Sequence, residues 1–145
     1  TSRTFEIGKV SVKAKNLVKT TFESMMNGIN IIKEGIHLGD IGATIQNYVE
    51  SQGFSVVQDY CGHGIGKMFH KEPSVLHYGK MGTGEKLKAG MIFTVEPMIN
   101  LGNFETKTLN DGWTAVTKDK SLSAQFEHTV GVTKSGYEIF TLSKS

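Results

Sequence analysis

At 145 residues the chain is one domain's worth of polypeptide, long enough to bury a core. Sixteen Lys and Arg against fourteen Asp and Glu leave a net charge of +2, too balanced to single out nucleic acid or a membrane surface as a partner. A single cysteine, Cys61, excludes an internal disulfide framework and suits a reducing compartment, and no apolar run nears the roughly 18–20 residues that span a bilayer.

In chain order, Thr1 to Ile7 alternates small or polar residues with Phe5 and Ile7, and reads as a short strand ending at Gly8. This start has neither an initiator Met nor the charged-then-apolar pattern of a signal peptide. From about Val10 to Lys33, apolar residues at three- and four-residue steps predict a helix: Leu17, Val18, Met25, Ile29, Ile32. Gly28 is expected to interrupt it at a cost of about 1 kcal/mol, and Gly35 to cap its end. Lys9, Lys13, Lys15 and Lys19 lie mostly off the apolar stripe and read as a solvated face. A second helix is predicted from about Gly39 to Ser51, stopped by Gly53. Beyond it the pattern is strand-like: Phe54 to Tyr60, a glycine turn at Gly62 to Gly66, then Met91 to Ile99. Gly102-Asn103 and Asp111-Gly112 mark tight turns, and Trp113 to Thr117, Ser123 to Thr133 and Tyr137 to Leu142 complete an antiparallel set. Two helices followed by a sheet, with no linker, repeat or low-complexity stretch, give the fold class α+β.

Cys61-Gly62-His63-Gly64-Ile65-Gly66, followed by Phe69-His70, carries the densest chemistry. Glycines on both sides of His63 free the backbone and bring the imidazole close to a ligand, although a loop histidine is as readily structural. His70 is suited to hydrogen-bond a substrate carbonyl or its developing oxyanion. Glu96 and Glu127 each sit in an apolar strand, where a carboxylate must be paired, protonated or on a metal. Two readings stand open for them: salt bridges to a buried Lys or Arg, or, with His63, a site for Mn, Fe, Co or Zn. His37 and His77 are expected to be exposed or locally bonded. His128, one residue from Glu127, points to the opposite face of its strand. Cys61 reads as a small buried thiol, and Trp113 as core or as the wall of a pocket.

Taken together, the Cys61–His70 stretch, Thr94-Val95-Glu96-Pro97-Met98, Asp111-Gly112-Trp113-Thr114 and Ser121 to Thr129 resemble the bacterial-type (type I) methionine aminopeptidases, essentially end to end. The resemblance implies the pita-bread fold, a curved antiparallel sheet with helices on its outer face. It implies two divalent metal ions (Co, Mn, Fe or Zn) held by two Asp, one His and two Glu, with His63, Glu96 and Glu127 as this chain's metal ligands. Glu96 would also shuttle the proton and His70 would stabilise the tetrahedral intermediate, so these two are the catalytic residues. His70, Cys61, Phe69 and Trp113 would bind substrate, the last three lining the pocket for a methionine side chain. Met68 stands where the family commonly has a small residue.

The family's two Asp ligands precede the segment that here is Thr1-Ser2-Arg3-Thr4-Phe5. Residues 1–145 therefore resemble the C-terminal half of a single catalytic domain. That half holds at most one metal well and would be inactive alone. The implied whole is a cytoplasmic, monomeric enzyme that removes the initiator Met from nascent polypeptides, with no nucleic-acid or membrane partner. The alternatives are another pita-bread peptidase (prolidase- or aminopeptidase P-like) or a non-catalytic pita-bread binding module.

Overall fold

The structure is a computed structural model and describes residues 1–143. Helix α1 spans Val12–Asn30 and opens at Ser11, whose Oγ accepts the Ala14 N–H at 3.2 Å. Its buried stripe, Leu17, Thr21, Ser24, Met25, Gly28 and Ile29, contains two hydroxyls that donate back into the helix, Thr21 to Leu17 O and Ser24 to Thr21 O. Gly28 does not interrupt the helix. A Cβ there would lie 2.7 Å from Ile45 of helix α2 (Leu38–Ser51), so its absence lets the two helices cross closely. The helix ends at Ile31, and Gly35, with φ +96°, belongs to the following turn instead of the cap. Asp40 closes the start of α2 by accepting the His37 N–H at 2.8 Å.

All strands pair antiparallel. A five-stranded sheet has the order β10 (Tyr137–Ile139), β9 (His128–Val132), β4 (Ile92–Val95), β2 (Gly62–Gly64), β3 (Lys71–Val75). A three-stranded sheet runs β1 (Ser55–Val56), β5 (Met98–Asn100), β8 (Ser123–Gln125), and β6 (Thr106–Thr108) pairs with β7 (Ala115–Thr117) around the predicted Asp111-Gly112 turn. Phe93, Val95, Ile99, Val130 and Val132 from one face of these sheets join Leu17, Met25, Ile29, Ile41, Ile45 and Val49 in one core.

Several expected strands are shorter. Residues 1–7 form only an isolated bridge, Ser2 to Glu127, and the Phe54 to Tyr60 run pairs only at Ser55 and Val56. Gly102-Asn103 is no hairpin turn, because β5 and β6 lie in different sheets; Asp119 and Ser121 accept its two N–H groups. The expected strands Met91 to Ile99 and Ser123 to Thr133 both break, at Glu96-Pro97 and at Phe126-Glu127. Pro97 has no N–H to give the ladder, which explains the first break.

Candidate metal centre

The two breaks face each other. Val95 pairs with His128 on one side of the gap and Met98 with Gln125 on the other, so the register is unchanged across it. Counting inward from either side sets Glu96 opposite Glu127 and Pro97 opposite Phe126. By strand alternation Pro97 and Phe126 turn to the helices, where both are buried and Phe126 packs edge-on against Phe22 of α1. The two carboxylates turn the other way. Gly64 pairs with Phe93, which sets His63 beside Thr94, two residues before Glu96 and on the same face. One row of the sheet thus collects an imidazole, a hydroxyl and two carboxylates.

The glycines around His63 serve this row in a way their expected dihedral freedom does not describe. Neither Gly62 nor Gly64 has a positive φ. A Cβ on Gly62 would collide with the Thr94 carbonyl and one on Gly64 with the Glu72 carbonyl. Their role is close approach, which draws β2 between its neighbours and lowers His63 onto Thr94 and Glu96.

Within the row the hydrogen bonds are directional. The His63 N–H donates to Thr94 Oγ1 at 2.9 Å, and that hydroxyl donates to Glu96 Oε1 at 2.7 Å. His63 Nδ1 lies 3.1 Å from the Gly64 carbonyl, a contact that places an N–H on Nδ1, so that in the neutral ring Nε2 carries the lone pair. Nε2 faces Glu96 Oε1 at 3.6 Å. Two acceptors aimed at each other, with a second carboxylate opposite the first, repel unless a cation or proton lies among them. Anchoring of the remote imidazole nitrogen by a backbone carbonyl is also how a ligand histidine is usually oriented. This donor set fits a divalent cation of hard-to-borderline character.

Burial pushes the Glu96 carboxyl above its usual range, and the Glu127 charge adds to that push. The Thr94 hydrogen bond opposes it, as would a proton taken up by His63 or His70. Among the described residues neither Glu96 nor Glu127 pairs with a lysine or arginine, which removes the salt-bridge reading left open above. Glu127 is held by the first two residues. Its N–H donates to Ser2 O at 3.0 Å, and its carbonyl accepts from Thr1 Oγ1 at 2.6 Å. No group of three His, Cys, Asp or Glu side chains among the described residues converges tightly enough to grip a metal ion. His63 and Glu96 form the close pair, and Glu127 stands across from it.

The loop between β2 and β3 brings His70 and Phe69 to the same place. The His70 ring centre lies 4.3 Å from that of His63, and Phe69 lies 5.3 Å from His63 and 4.6 Å from His70. Both are exposed, Phe69 to 70%, and half-buried Cys61 adjoins them through Gly62. Trp113 stands apart: it caps the β6–β7 turn at 89% exposure, and among the described residues its ring stacks on no other. His128 turns to the opposite face, as expected, with Nδ1 2.8 Å from Thr141 Oγ1.

Sequence reasoning missed three residues around Glu96. Thr94 could have been found from its i, i+2 relation to Glu96. Gln125 Nε2 lies 3.5 Å from both the Glu96 carbonyl and Oε2. His77 was expected exposed or locally bonded and is 2% exposed instead. Its Nε2 accepts the Glu96 N–H at 3.0 Å, and burial pushes its pKa down to about 3. The available signal was alternation with buried Val75.

The chain matches "Metallopeptidase family M24" over residues 1–134. It is 59% identical over 144 residues to the methionine aminopeptidase of Rickettsia prowazekii, covering 99% of this chain and 56% of that protein. The crystal structure of methionine aminopeptidase from Rickettsia prowazekii superposes with a TM-score of 0.94 at 58% identity, over 97% of this chain and 57% of that one. The prolidase from Pyrococcus furiosus matches at TM-score 0.75 and 21% identity, over 99% of this chain and 36% of that one, a likeness of fold alone. The chain spans about half the length of the curated relatives it matches. The shared architecture is the pita-bread fold that the motifs implied.

Proposed function

The chain belongs to metallopeptidase family M24, and from that premise we propose that residues 1–145 are the C-terminal half of one catalytic domain that removes the N-terminal methionine from nascent polypeptides. The observation that carries this reading is the opposed pair of lone-pair donors, His63 Nε2 and Glu96 Oε1 at 3.6 Å, with Glu127 across the strand gap.

His63, Glu96 and Glu127 would hold divalent metal, of which the family makes use; two ions of Co, Mn, Fe or Zn, completed by ligands from outside residues 1–145, are the reading we favour. Such a cation supplies Lewis-acid polarisation of the scissile carbonyl and makes a water acidic near neutral pH. The chain's own residues do the rest. Glu96 would take a proton from the attacking water and pass it to the leaving amine. Thr94 keeps Oε1 of that carboxylate in place. His70, exposed beside His63, is placed to donate to the carbonyl oxygen as charge develops there. Cys61 and Phe69 wall the approach, and Trp113, which stands apart from them here, joins the methionine pocket by the resemblance alone. A monomer acting in the cytoplasm fits this role, and no helix among the described residues is long and apolar enough to cross a membrane.

The test is a comparison of methionyl and X-prolyl peptides as substrates of the intact protein. Methionine release with the prolyl peptides untouched is the expected result. Cleavage confined to the prolyl peptides, or none of either, overturns the reading.

A further inference from the structure

We propose that His77 is a positioning residue for Glu96, fixing the backbone of the strand gap from which that carboxylate faces His63. The inference rests on the function proposed above. The β4 ladder stops at Val95, and Pro97 has no N–H, so the Glu96 N–H is the one amide donor in the gap. His77 Nε2 supplies its acceptor at 3.0 Å, in place of a strand. A ring that accepts at Nε2 is neutral and carries its proton on Nδ1.

The histidine is itself held from behind. A Cβ on Gly42 of α2 would collide with the Tyr78 carbonyl and lie 2.7 Å from that of Leu76, so the helix seats directly on the backbone flanking His77. At 2% exposure the ring has no room to swing away. The contact therefore runs from α2 through residues 76–78 to Glu96, and does not involve Glu127.

Gln and Asn replacements separate this from mere packing, because both are polar and smaller than the ring. Gln can set its amide oxygen near the place of Nε2, whereas Asn reaches only that of Nδ1. In the intact protein, His77→Asn is expected to lower kcat roughly 10-fold or more, as loss of a partner that orients a ligand does, with KM within about twofold. His77→Gln should restore most of that loss. Mn(II) affinity, measured by calorimetry without substrate, should weaken in the same order. Val75→Ala, a cavity at the end of β3 two residues before His77 and away from Nε2, should lower the melting temperature without lowering kcat. Equal kcat for the Gln and Asn variants, or kcat losses that follow melting temperature across all three, overturns the inference. Absence of methionine release by the unsubstituted protein would instead sink the functional reading beneath it.

Discussion

Glu96 and Glu127 occupy facing gaps where the five-stranded sheet passes into the three-stranded one, yet opposite parts of the molecule hold them. Glu96 is fixed from within: Thr94 binds its carboxylate, His77 its N–H, and α2 braces His77. Glu127 is held through its backbone by the Thr1 hydroxyl and the Ser2 carbonyl. One carboxylate of the pair is thus rigidly held by the sheet and α2, and the other through the segment of residues 1–4. On the proposed function, Glu96 would carry the proton transfer and Glu127 would supply a ligand whose position follows residues 1–4.

The largest effect should come from breaking the rigid half. Glu96→Gln removes a ligand and the proton carrier together, and kcat for a methionyl peptide in the intact protein should fall at least ~100-fold, about 2.7 kcal/mol. A loss within threefold would contradict the role. Gly42→Ala drives a methyl group into the Tyr78 carbonyl and should cost about 1–3 kcal/mol in urea unfolding. If the two halves are separate, it should loosen amide exchange at Glu96 and leave that at Glu127 unchanged.

A smaller effect lies one step further back, at the cap of α2. The His37 N–H, then that of Gly82, draws the Asp40 carboxyl below its ordinary range. A folded-state value below the unfolded one means the contribution is complete above the ordinary carboxylate pKa and is lost as pH falls through the lower folded value. Asp40→Asn should cost about 1 kcal/mol at neutral pH and lose that acid dependence. Equal slopes of stability against pH for both proteins would contradict it. Lys118 and Glu105, an exposed pair 2.8 Å apart beyond β7, touch neither half. Lys118→Ala should leave the melting temperature and kcat unchanged within error.

What was legible in the sequence follows the same division. Helix periodicity found α1 and α2 because each buries one continuous stripe. The strand runs were legible as apolar alternation, but alternation does not say where pairing stops. Both missed breaks fall at the candidate ligands, the first because Pro97 has no N–H for the ladder. His63, Glu96 and Glu127 were legible as residue types in unusual surroundings. That Glu96 stands opposite Glu127 follows only from a register set by pairing on both sides of the gap. His77 was illegible as a partner because its link to Glu96 spans 19 residues and a backbone N–H, which no side-chain pattern encodes.

The most direct measurement is Mn(II) binding to the intact protein by calorimetry, with His63→Ala and Glu127→Gln set beside the unsubstituted form. If the opposed lone pairs exist to hold a cation, both substitutions should weaken binding at least roughly 10-fold. His63→Ala should do so without loss of melting temperature in the metal-free state, since removing one of two opposed acceptors relieves repulsion there. Unchanged affinity in both variants would show that the row of His63, Glu96 and Glu127 is not a metal centre.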